Sequence, residues 1–269
     1  MRELKRWWHV ASCVDSRQEQ RTRRHSKRCV WPGCELVRVT IHQPEHLPWP
    51  GFFAKLSNAD LMVLLDVVQF RKNYFQNRNR VLTSDGLAWV TVPVLSKGHT
   101  SRTLRDTRIN DTDRRWRQRS WGTIQAAYGR HPFFARYGHE LGGVYGEDWE
   151  YLTTLNEHVI RLMCSWLGLQ QKLIRASDLK VTGSSSDLLL AICKAVDATE
   201  YLAGPSASDY LDESMFKAAG IEVSRARFEQ VPYEQGGTQA FVGNLSAIDL
   251  LFNRGPASLE VISEGSHVD

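Results

Sequence analysis

Apolar residues along this chain change their spacing several times, and each change marks an element. Val39-Thr40-Ile41-His42 is a short apolar strand that runs straight into residues 43–51. Three prolines within seven residues there exclude helix interior and central strand, so the segment is a stiff loop. Residues 52–56 begin a helix that Asn58-Ala59-Asp60 closes. Residues 61–66 are a continuous apolar run, the pattern of a strand buried on both faces. Strand, loop, helix and strand at this spacing predict a βαβ unit, hence a parallel sheet. Ligands of such sheets bind beyond the carboxyl ends of the strands. That places residues 42–51 and 66–80 at one mouth.

Beyond the mouth, short strands are expected at 81–82, 88–94 and 104–109. From Trp116 the period becomes helical: Trp121, Ile124, Tyr128, Phe133, Phe134, Tyr137 and Leu141 recur at three- and four-residue steps. A further helix over 151–167 carries Leu152, Leu155, Val159, Leu162, Met163 and Trp166 on one face and ends at Gly168. The strand-loop-helix alternation then resumes. Strands are expected at 172–175, 200–203 and 221–223, and helices after the small-residue loops 183–187 and 204–211. A last helix is expected over 240–253. The predicted architecture is α/β, a Rossmann-like, mostly parallel sheet with flanking helices and a helical insertion around residues 115–168. One domain over residues 39–255 accounts for it, with 256–269 expected as a flexible tail.

Composition changes this picture only at the N-terminus. The 269 residues are 42% apolar, 24% charged and 10% aromatic, enough for a real core, and no apolar run is long enough to span a membrane. Residues 1–38 hold ten Lys/Arg against four acids, whereas the rest holds 24 against 26. The excess positive charge therefore belongs to the leader, and the near-neutral body is not a general nucleic-acid binder. The leader has no apolar periodicity and no secretory core. It reads as a disordered extension or as a start placed too far upstream, and otherwise as a basic arm for RNA or phosphate. Cys13, Cys29 and Cys34 lie in it, Cys164 and Cys193 in helical patterns, with no C-x-x-C pair. No zinc or other metal site is read from them, and a reducing, cytoplasmic setting is expected.

The stretch Gln69-Phe70-Arg71-Lys72-Asn73-Tyr74-Phe75-Gln76-Asn77-Arg78-Asn79-Arg80 carries four cations, five side-chain amides and three aromatics directly after a buried strand. Amides and guanidinium groups are fixed-geometry donors for phosphate, carboxylate and sugar hydroxyls, so the stretch reads as a binding site. His42-Gln43-Pro44, Leu47-Pro48-Trp49 and Gly51-Phe52-Phe53 resemble the opening of the WbqC-like family. Asp66 with Gln69-Phe70, Lys72, residues 77–80, Tyr201-Leu202, Gly204, Tyr210-Leu211 and residues 245–253 are similar to it as well. At Val67 the family often has a second acid, which this chain lacks. The resemblance implies attachment of glycine or another small acyl group to an amino sugar or aminocyclitol in bacterial polysaccharide or natural-product synthesis. A second likeness, of His42, His46 and Gly51, is to the nucleotide-binding turn of HIGH-type adenylyltransferases, but Phe52 stands where their second histidine would be.

Amide formation needs a base for the incoming amine, and His42, His46 and Asp66 are the candidates. Gln43, Gln69, Lys72, Asn77, Arg78, Asn79 and Arg80, with Ser206 and Tyr210 of the later loop, are the candidate substrate-binding residues, and Arg71 a further donor. No G-x-S-x-G and no cysteine with an obvious histidine partner is present, so direct attack on an activated donor is expected. That donor is an acyl adenylate made with ATP and Mg, an acyl-CoA or an aminoacyl-tRNA, and the acceptor is a small amine. Two other readings remain open: a non-catalytic module binding a nucleotide sugar or a biosynthetic partner, and single-stranded RNA binding through the Arg/Asn/aromatic loop.

Overall fold

In a computed structural model, which describes residues 36–95, 102–236 and 240–269, the sheet forms around the first strand. β1 (Arg38–His42) is flanked on one side by β2 (Leu61–Leu64) and then β5 (Lys172–Arg175). On its other side lie β6 (Glu200–Ala203), β7 (Glu222–Phe228) and β8 (Ser266–Val268). All neighbours are parallel except β8, which runs antiparallel to β7. The chain builds outward from β1 to β5, then returns across the sheet to start again at β6. The direction of winding therefore reverses between β1 and β6, where an α/β sheet opens a crevice at its carboxyl edge.

The registers Val39↔Leu61 and Ile41↔Val63 put these four residues on one face. There they pack under α5 (Ser185–Ala195) and α6 (Glu213–Ala218). Met62 and Leu64 turn to the other face, which α1 (Pro50–Ser57), α2 (Arg115–Tyr128), α3 (Phe134–Gly146), α4 (Leu152–Leu167), α7 (Ala247–Arg254) and α8 (Ser258–Glu264) cover. A strand with apolar side chains on both faces must be covered on both, which is why all four residues of β2 are buried. α4 ends at Gly168, whose φ of 74° gives the left-handed C-cap expected there. β3 (Arg78–Thr83) and β4 (Gly86–Thr91) form a separate antiparallel hairpin packed on α2.

Several expectations are corrected. Residues 78–80 belong to β3 rather than to a loop. Residues 104–109 make only single bridges, Val94↔Ile109 and Arg108↔Tyr151, and no strand. The helix expected over 240–253 is α7 and begins at Ala247, where the Ser246 hydroxyl accepts from the Ile248 amide and fixes its start, and it is followed by α8. The 256–269 segment is no loose tail: Ile262 of α8 is fully buried, and β8 covers the outer edge of β7. Arg38, counted with the leader, opens β1 with its guanidinium on Glu200. Val37–Asp269 is one compact unit. The features expected of residues 1–35, its three cysteines included, lie outside the described residues. No helix among the described residues is long and apolar enough to cross a membrane.

Candidate active site

A cavity of about 290 Å³ opens at the carboxyl edge of the sheet, over the β1/β6 reversal. Ile41 and His42 come from the end of β1, Gly204, Ser206 and Ala207 from the turn after β6, and Arg227 and Phe228 from the end of β7. Leu65, Arg71 and Tyr74 approach from the loop after β2, and Trp49, Gly51 and Lys55 from α1 and its entry. The stiff loop before α1 turns the chain back at the carboxyl edge, so that the helix starts at the cavity and then runs down one face of the sheet. Gly51 sits so close to the Trp49 indole that an added Cβ would fall 2.3 Å from the ring.

The chemistry of this cavity centres on two residues that sequence patterns did not single out. Glu45 and Lys55 are only 6% and 7% exposed, and both line it. The Lys55 ammonium donates to the Ile41 carbonyl at 2.7 Å, while Glu45 Oε2 has no hydrogen-bond partner. Burial disfavours the charged form of each. It lowers Lys55 to about 7, against the pull of Glu45, and raises Glu45 to about 8, against the pull of Lys55. Both groups therefore change protonation near neutral pH. His42 is held down to about 3, by burial and then by the Lys55 charge, so its ring is neutral. Its Nδ1 donates to the Gln43 carbonyl at 2.9 Å, which leaves Nε2 as the unprotonated nitrogen.

Of the residues expected at the site, His42, Gln43, Ser206, Tyr210 and Arg71 meet in this cavity. Gln43 Oε1 accepts from Gln76, whose own Oε1 accepts from the Arg71 amide, so the two mouth segments are tied together. The remaining candidates stand elsewhere. His46 is fully buried between α3 and α4, with Nδ1 donating to Asn156 Oδ1 and Nε2 accepting from the Tyr145 hydroxyl. Both of its nitrogens are engaged, and burial lowers it to about 4. Asp66 is fully buried and accepts from the amide and hydroxyl of Ser177, fastening the end of β2 to the turn after β5. Asn77 and Asn79 donate to the Val92 and Leu47 carbonyls and hold the hairpin in place. Arg78 and Arg80 lie over the exposed Trp89 ring, 4.2 and 5.8 Å from its centre. Gln69 and Lys72 are exposed outside the cavity.

The adenylyltransferase-like turn is likewise absent in geometry, since His46 is committed to the core and the Trp49 ring covers Gly51. The bearing of the sequence on Lys55 appears only once the helix is placed: Phe52, Phe53, Ala54 and Leu56 around it are apolar and residues 50–56 are all buried, so the single cation among them has no solvent face to occupy. Nothing comparable marks Glu45, which reads as one more polar residue of a proline-rich loop.

The profile of the WbqC-like protein family matches residues 43–261, from the mouth of β1 to α8. The chain belongs to that family. It is also 34% identical over 224 residues to a Mycobacterium tuberculosis (strain ATCC 25618 / H37Rv) protein named Uncharacterized protein Rv1507c, covering 82% of this chain and 95% of that one. No solved structure matches it. As a WbqC-like protein it carries the Glu45 and Lys55 positions inside the matched span.

Proposed function

We propose that this WbqC-like protein is a cytoplasmic enzyme that forms an amide, transferring an aminoacyl group such as glycyl, or another small acyl group, to an amino sugar or aminocyclitol. The observation that carries the reading is the buried Lys55 amine, near neutral and with a single hydrogen bond, in the cavity over the β1/β6 reversal. In the reaction the acceptor nitrogen bonds to the acyl carbon. The bond from that carbon to the leaving group breaks with its electrons, and the nitrogen's surplus proton passes to Lys55. A base with a value near the working pH is the efficient choice for that step. The neutral His42 ring and the Ser206 hydroxyl supply further polar contacts, and Arg71 a positive charge beside the leaving group. The buried free thiols of Cys164 and Cys193, both raised to about 12 by burial, do not serve as a thiolate nucleophile.

The test is turnover of an amino-sugar nucleotide with each donor class in turn: acyl adenylate, acyl-CoA and aminoacyl-tRNA, with the amide read by mass spectrometry. One donor should give product, with a rate that rises as pH passes through about 7. Lys55→Met should slow it by about 100-fold or more while the protein still melts cooperatively. Full turnover by folded Lys55→Met would remove the base assigned here. Binding of sugar nucleotides with no product from any donor would favour a non-catalytic module.

A further inference from the structure

Glu45 and Lys55 present an imbalance that a ligand must resolve. The two side chains line one cavity and are each more than nine-tenths buried, yet they make no ion pair with each other. Glu45 Oε2 has no partner, and Lys55 uses one of three possible donors, on the Ile41 carbonyl. Gly204, in the turn after β6, lies beside the ammonium, where a Cβ would sit 3.5 Å from Nζ in ordinary contact. Leaving a buried acid and a buried base separately unsatisfied is costly, and a ligand of one charge would relieve only one of them.

We infer that the cavity takes a small zwitterion, an α-amino acid whose ammonium sits on Glu45 and whose carboxylate sits on Lys55. Arg71, at the rim and without an acidic partner among the described residues, adds a second positive charge to the cavity. The volume agrees: about 290 Å³ is at the lower end for small-molecule sites and far from what a dinucleotide needs. Placed this way, the carboxylate lies on the Lys55 ammonium and the ligand's own amino group is held away on Glu45; activation of the carboxylate removes its charge, and Lys55, no longer paired, can then lose its proton and serve as the base. The inference deepens the acyl-transfer reading by naming a free amino acid as the source of the acyl group, and it rests on that reading for the use of the ligand, not for its binding. Coupling the bound acid to an amine would need a nucleoside triphosphate as co-reactant.

Titration calorimetry of the full chain tests it with glycine and L-serine against acetate, ethylamine and N-acetylglycine, which each lack one charged end. Either amino acid should bind at least about tenfold more tightly than any of the three. Glu45→Gln and Lys55→Met should each remove that advantage, with melting curves showing that the variants are folded. Acetate or ethylamine binding as tightly as glycine would overturn the inference, as would glycine binding unchanged in folded Glu45→Gln or absent from the wild-type chain. The two readings fail separately. Glycine bound without any amide product ends acyl transfer and leaves the zwitterion site. Amide formed from a thioester, with no free amino acid bound, does the reverse.

Discussion

Burying Glu45 and Lys55 beside the sheet gives the fold a pH dependence of its own. The folded Glu45 value of about 8 lies above its usual 4.5, so between those limits the folded state holds a proton that the unfolded chain has released. Stability then falls as pH rises through that window, by roughly 1.4 kcal/mol per pH unit for one proton. Glu45→Gln removes the effect. Its melting temperature relative to wild type should climb steadily from pH 5 to pH 8, and a constant difference would show that Glu45 is ionised in the fold. Lys55 acts in the opposite sense over a higher range. Its value drops from 10.5 to about 7, so the unfolded chain carries the extra proton and stability rises with pH across that span. His42 and His46, both lowered from 6.5, work like Lys55 in acid and make the fold lose stability as pH falls below about 6.

At the scale of the element, the ends of the strands decide what each polar residue does. Asp66 follows an apolar strand at the carboxyl edge, and in sequence that is the position of a catalytic acid. The strand beside it exits in the turn Ala176–Leu179, so the Ser177 amide and hydroxyl meet the carboxylate first. Asp66→Ala should lower stability by about 1–3 kcal/mol through the stranded donors, with any loss of activity matching the loss of folded protein. A greater fall in activity per folded molecule would return Asp66 to the chemistry. This contrast shows how far the sequence is readable. Apolar runs mark β1, β2 and β6 because a parallel strand inside the sheet must be covered on both faces, while β5, at the edge, is marked only by Leu173-Ile174. Strand order is set by packing between distant segments and leaves no local pattern, so the neighbours of Asp66 and His46 could not be read. Lys55 went unnoticed for a similar reason, since a lone lysine in a short helix looks solvated until the cover over that helix is known. The hairpin adds another contrast: Asn77 and Asn79 donate to backbone carbonyls and stand outside the cavity.

For the whole molecule, the last fourteen residues and the first strand matter most. α8 seats Ile262 in the larger core, and β8 pairs with Ala226, Arg227 and Phe228, the end of β7 that also lines the cavity. A chain ending at Gly255 should unfold at a clearly lower temperature and aggregate, because an uncovered strand edge is a template for pairing. Retention of the wild-type melting temperature would mean that the segment is dispensable. β1 carries a different burden. Its bond from the Thr40 hydroxyl to the Leu202 carbonyl spans 162 positions, and its pairing with β6 has the same reach. On a ribosome adding roughly 5–20 residues per second, one side of the central strand waits some 10–30 s for its partner to be made. Until then the amino-terminal half has no amine-lined pocket and one open flank. Slow codons between positions 42 and 200 would lengthen that exposure, and the yield of folded protein depends on the pace of synthesis there.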